Sequence, residues 1–155
     1  MNYEYKPGIS FSDIPFTCNE ERIIEILGEP DRKCIEYFNR TPNNEHKDIE
    51  YTYKKHKLVV SFTYYNELFD NVDIKCEKVF IENINIFDLK KDDVFNLISK
   101  YTKITPEDAF DHEISAKGIE EGDLMDEGYY FKDICLTLWF EEDYLNDICM
   151  SKPEK

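Results

Sequence analysis

Apolar residues along this chain recur at two spacings, and the switch from one to the other happens twice in the same direction. Between 20 and 27 they fall at Ile23, Ile24, Ile26 and Leu27, the stripe of an amphipathic helix. Thr17 with Glu20 three residues on reads as a capping box before it, and Gly28 and Pro30 stop it. A strand is predicted over 34–38 and a polar loop over 39–47, where Pro42, Asn43 and Asn44 break the pattern. Alternation then takes over. Ile49, Tyr51 and Tyr53 alternate with polar neighbours, 58–65 is β-branched and aromatic, and a hairpin closes over 54–57. After a turn over 66–71, Val72, Ile74 and Cys76 share one face of a further strand.

Helical spacing returns at Val94, Leu97, Ile98 and Tyr101, behind Asp88 as N-cap. A strand over 109–114, a long acidic loop over 115–127 and strands over 129–131, 134–140 and 145–150 are predicted to follow. Segment 49–74 aligns with 128–149: an aromatic strand, a turn, an apolar strand ending in aromatics, and Asn-Asp before an isoleucine. Leaders at 9–16 and 84–89 extend the match upstream. This predicts a single compact domain over 1–155 holding two repeat units, 8–82 and 83–151, with no linker at their join. The expected fold class is α+β: two tandem helix-plus-antiparallel-sheet units with the helices packed on one face of the sheet. The other face, or an edge, would be left open to a partner.

Charge narrows the partner. With 34 acidic against 19 basic residues the formal net charge is −15, which repels a phosphate backbone or an anionic membrane surface. No nucleic acid and no membrane partner are expected. A basic protein is attracted, and plain solubility is the other reading of the same charge. An aromatic content of 15% argues against disorder. The five cysteines form no CxxC pair and are expected to be reduced, with Cys76, Cys135 and Cys149 inside apolar strands. Residues 1–8 carry neither a basic n-region nor an apolar h-region, and no apolar stretch approaches membrane-spanning length, so a cytoplasmic protein is expected.

No GxSxG, HExxH, P-loop or GxGxxG occurs, and His46, His56 and His112 sit among charged residues as surface positions. No catalytic residue, cofactor or metal site is predicted, since the acidic cluster lacks the spacing of a calcium loop. That cluster is the candidate site: Glu107, Asp108, Asp111, Glu113, Glu120, Glu121, Asp123, Asp126 and Glu127 accumulate with only Lys117 among them. It reads either as a solvated loop or as a docking surface for a cationic protein, with Tyr129 and Tyr144 as aromatic anchors. Tyr64, Tyr65 and Phe69 are further aromatics near strand ends, and Trp139 is expected in the core.

The segment ERIIEILGEP at 21–30, followed by an aromatic strand and a hairpin, resembles the helix-LGxP-strand unit of the β-lactamase inhibitor protein and outer-membrane lipoprotein (SmpA/OmlA-like) superfold. The chain also looks like small bacterial immunity proteins of contact-dependent inhibition and polymorphic toxin systems. The second unit departs from the motif, with SKYTK at 99–103 where LGEP should recur. The resemblance implies a non-enzymatic cytoplasmic antidote that binds a cognate, basic toxin domain, such as a nuclease, and covers its active site. It carries over no individual residue. The alternative is a general protein-interaction or scaffold module binding through an apolar sheet edge.

Overall fold

The computed structural model describes residues 1–115 and 126–153. A small three-stranded sheet comes first: β1 (Tyr5–Lys6), β2 (Ser10–Phe11) and β3 (Ile14–Pro15). Helix α1 (Glu20–Leu27) follows. Its N-cap is Asn19 rather than Thr17: Asn19 Oδ1 accepts the Arg22 amide at 2.9 Å. The helix stops at Gly28, whose φ of 84° suits glycine alone and whose N–H closes on the Ile24 carbonyl.

The body of the molecule is one seven-stranded antiparallel sheet. Strands β4 (Arg32–Thr41), β5 (Asn44–Tyr53), β6 (Leu58–Tyr65) and β7 (Leu68–Cys76) form a meander. Its last turn is tight because Asn66 and Glu67 both take positive φ, 51° and 68°, the twist a two-residue hairpin turn needs. Strands β8 (Phe80–Ile81) and β9 (Ile84–Asn85), helix α2 (Lys91–Ile98) and the short helix α3 (Pro106–Ala109) then lead to a second meander: β10 (Asp126–Phe131), β11 (Leu136–Glu141) and β12 (Tyr144–Ser151). The aligned segments of the two halves fall on β5–β7 and β10–β12. The meanders join through β12 and β7, at Met150↔Ile74 and Ser151↔Asp73, giving the order β10-β11-β12-β7-β6-β5-β4. The Ser151 hydroxyl reinforces this seam, 2.8 Å from the Val72 carbonyl oxygen and 2.9 Å from Asn71 Oδ1.

The α+β expectation with helices packed on the sheet is overturned. Among the described residues the chain is mostly β, 48% strand against 21% helix, and its longest helices span eight residues. Two turns of helix cannot cover a seven-stranded sheet. The helices contribute a few side chains instead, Ile23 from α1 and Val94, Leu97 and Ile98 from α2. The predicted strand over 109–114 is replaced by the end of α3 and a helical turn at 112–115. The predicted loop over 39–47 is the tip of a long hairpin that turns at Pro42 and Asn43.

Strict alternation sets the core. Ile49, Tyr51, Val60, Phe62, Val72, Ile74, Leu138, Phe140 and Ile148 all point to one face and are buried. Each fully buried side chain of this size contributes about 1.5–3 kcal/mol. Trp139, expected in the core, lies on the opposite face with the Lys75 ammonium 5.2 Å from its ring centroid, because its neighbours Leu138 and Phe140 take the inward positions. None of the five cysteines is joined in a disulfide; Cys18 and Cys76 are buried, the other three half-buried. Among the described residues no helix is long and apolar enough to cross a membrane.

Candidate functional site: an acidic cleft and an aromatic sheet edge

Two surface regions stand out, and the first holds most of the predicted site. A cleft of about 720 Å³ opens between α2, α3 and β10, lined by Lys91, Asp92, Phe95, Asn96, Pro106, Glu107, Phe110 and Tyr129. Thr105 positions Glu107 and Asp108: its hydroxyl caps α3 by accepting the Asp108 amide at 3.3 Å, leaving both carboxylates in the exposed first turn. Asp111 serves the backbone, its Oδ1 accepting the Glu113 and Ile114 amides at 2.9 and 3.1 Å. Glu113 is exposed. Asp126 accepts the Asn146 side-chain amide at 3.0 Å, tying the start of β10 to β12. Glu127 accepts Lys91 Nζ at 3.0 Å and the Tyr129 hydroxyl at 2.8 Å, and these bonds hold its carboxyl below the usual range. Glu120, Glu121 and Asp123, with Lys117, lie outside the described residues.

The two predicted anchors part company. Tyr144 is half-exposed at the β11–β12 turn, where it bridges to Lys90. Tyr129 is only 8% exposed and its ring packs edge-on against Phe95, Phe110 and Phe140, so it floors the cleft rather than projecting from it. Burial first, then the hydrogen bond to Glu127 and the charges of Asp92 and Glu107, push its hydroxyl well above the tyrosine range. Sequence reasoning missed the carboxylates that the fold adds. Asp92 lines the cleft, Glu141 pairs with Asp126 across the strands, and the Asp143 carbonyl accepts the Lys91 amide at 2.7 Å, which brings the Glu141–Glu142–Asp143 run beside the helix start. The signal was present as three consecutive acids between two apolar strands. With Lys91 engaged by Glu127, the cleft is a negative basin over an aromatic floor.

The second region is the opposite end of the sheet, where β4 is the edge strand. Ile35 and Tyr37 extend the inward face beyond the core, and alternation puts Phe38 on the outer face, beside a bulge between Tyr37 and Asn39. There Phe38 stacks on the His46 ring at 4.7 Å, His46 meets Tyr65 at 4.6 Å, and Tyr65 pairs with Leu68. This apolar ladder crosses four strands and is open to solvent: Phe38 is 54%, Tyr65 46% and Leu68 73% exposed. His46 is therefore not a plain surface histidine. Its Nε2 and Asp48 Oδ1, 3.4 Å apart, are shielded from solvent yet not aligned as a hydrogen bond. The sequence signal missed here was a strand, 34–38, with apolar residues at both parities, which a half-buried strand does not need.

Among the described residues no group of three or more His, Cys, Asp or Glu is placed to hold a metal ion. No family model matches this chain, and neither a curated protein nor a solved structure matches it.

Proposed function

We propose that this chain is an inhibitor-type binding protein, of the immunity-protein kind that its sequence resembles, whose acidic cleft docks a basic protein domain in the cytoplasm. The observation that carries this reading is the pair of carboxylates that two helices bring to one aromatic-floored cleft, Asp92 of α2 and Glu107 of α3, with the one lining cation, Lys91, already paired to Glu127. Such a field attracts a cationic surface, speeds its encounter and rejects acidic competitors. Covering a cationic active site in this way needs no chemistry from the chain itself.

The test is capture of partners from the source organism's lysate by the wild-type chain and by a double charge-reversal variant, Asp92→Lys with Glu107→Lys. A basic protein bound by the wild type, with association slowed about tenfold or more by the variant or by high salt, supports the proposal. Equal capture by both proteins refutes it. A second reading, an interaction module that binds through an apolar sheet edge, is favoured by one specific observation, the exposed ladder ending at β4.

A further inference from the structure

A cavity of about 460 Å³ lies at the end of the sheet where the 54–57 turn joins β5 to β6 and β7 runs out at Cys76. It shares no lining residue with the acidic cleft. Val59 of β6 and Phe87 of the helical turn at 86–88, both half-buried, supply an apolar wall, while Lys54 and Lys57 of the turn and Lys75 of β7 bring three exposed ammonium groups to the same space. Two acids answer them, and neither holds its lysine firmly. Glu77 Oε2 lies 3.6 Å from Lys57 Nζ and Asp147 Oδ2 lies 3.3 Å from Lys75 Nζ, both in solvent, where such pairs are weak and exchange readily. Among the described residues no ion pair engages the Lys54 ammonium. The cavity is thus a cationic site in a chain whose net charge is −15.

We propose that this cavity binds a small phosphate monoester, its phosphate held among Lys54, Lys57 and Lys75 and its apolar or aromatic body laid against Val59 and Phe87. Charge selects the head group. A phosphate monoester carries about −1.5 to −2 charges at neutral pH and three acceptor oxygens, so it engages several ammonium groups at once. A carboxylate carries one charge and is matched best by a guanidinium fork, and no arginine lines the cavity. Charge also limits the size. The net charge of −15 repels a polyanion such as a nucleic acid strand, whereas screening over about 8 Å at physiological salt leaves a small dianion under the influence of the lysines it touches. The volume of about 460 Å³ falls within the roughly 300–1,000 Å³ typical of small-molecule sites. The inference is independent of the acidic cleft and of what docks there.

The chain's single tryptophan reports on the site, because the Trp139 ring centroid lies 5.2 Å from Lys75 Nζ and its emission responds when that ammonium turns to a phosphate. Titration of the full chain with phenyl phosphate should give saturable binding by Trp139 fluorescence and by calorimetry, with inorganic phosphate and phenol each bound about tenfold or more weakly. Lys54→Gln combined with Lys57→Asn should weaken phenyl phosphate about tenfold or more. Both positions are exposed and asparagine tolerates the left-handed backbone of Lys57, φ 51°, so the variant keeps its fold, which circular dichroism checks. Glu77→Gln, which removes a competing anion, should tighten binding. No saturable binding by either method, phenol bound as well as phenyl phosphate, or full affinity in the double lysine variant overturns the proposal. A phosphotyrosine peptide bound about tenfold more tightly than phenyl phosphate overturns the free small molecule as occupant and assigns the same phosphate chemistry to a protein side chain.

Discussion

Replacing Glu20 by alanine removes the single carboxylate that ties α1 to the sheet. Tyr51 donates its hydroxyl hydrogen to Glu20 Oε1 at 2.5 Å, and Tyr64 donates to Oε2 of the same group. Lys33 Nζ lies 3.9 Å from Oε1. A hydrogen bond to a charged group contributes about 1.5–3 kcal/mol, and both hydroxyls are part-buried and able to recruit water, so the lower end applies and the pair is lost at about 3 kcal/mol. The half-exposed Lys33 pair adds only a few tenths of a kcal/mol. For a domain of this length that loss lowers Tm by about 6–12 °C. Urea unfolding should show the midpoint shifted with an unchanged m-value. Tyr51→Phe and Tyr64→Phe should each cost about 1–1.5 kcal/mol in the wild type and nearly nothing in Glu20→Ala. A Glu20→Ala cost below about 0.5 kcal/mol, or tyrosine substitutions that remain as costly without Glu20, would refute the clamp.

Gly128→Ala is expected to destabilise by about 1–3 kcal/mol, because the added Cβ would lie 2.4 Å from both Cγ1 and Cδ1 of Ile114 and the 111–115 turn hydrogen-bonds across this glycine. Thermal unfolding checks it, and Ile114→Ala in the same chain should recover part of the loss by vacating that space. Asp73 is a pH marker. Burial raises its pKa above the ordinary aspartate value, against the smaller effects of Ser151 and Asn71, so its folded form prefers the proton. The stability it contributes is complete below its unfolded pKa and is lost as pH rises through the folded one. Asp73→Asn should therefore raise Tm near neutral pH, with the gain vanishing under acid conditions; a gain that persists in acid would contradict the burial argument.

The parts of the fold readable from sequence were those where one periodicity acts locally. Ile49, Tyr51 and Tyr53, then Val72, Ile74 and Cys76, declare their inward face without help, and the same parity would have placed Trp139 outside had Leu138 and Phe140 been weighed against it. The 39–47 hairpin tip was illegible because Thr41, Pro42, Asn43 and Asn44 are all exposed and give no alternation. Cap choice failed for a different reason: Thr17 and Asn19 are both capable residues, and geometry beyond the local sequence selected Asn19, freeing Glu20 for the two tyrosines. The candidate site was legible as charge but not as shape. Glu107 is a sequence-visible acid, whereas its meeting with Asp92 across one cleft depends on how α2 is seated, with the Lys91 amide held by the Asp143 carbonyl of the β11–β12 turn, a contact between segments some fifty residues apart. Pairing of β7 with β12 is non-local in the same sense.

That pairing also sets a timetable. A ribosome emits the first meander complete, with β7 as its bare margin, and must add β8 through β11 before β12 exists to cover it. Throughout that interval the nascent chain offers two strand margins, β4 and β7, and β7 is the one that the finished fold covers. Met150↔Ile74 and Ser151↔Asp73 are the stitches that retire the second. Cells that make this protein rapidly therefore face their greatest risk of tangled chains before β12 is made, and a variant weakened at Ser151 would betray itself in soluble yield before it did so in the melting temperature of whatever had folded.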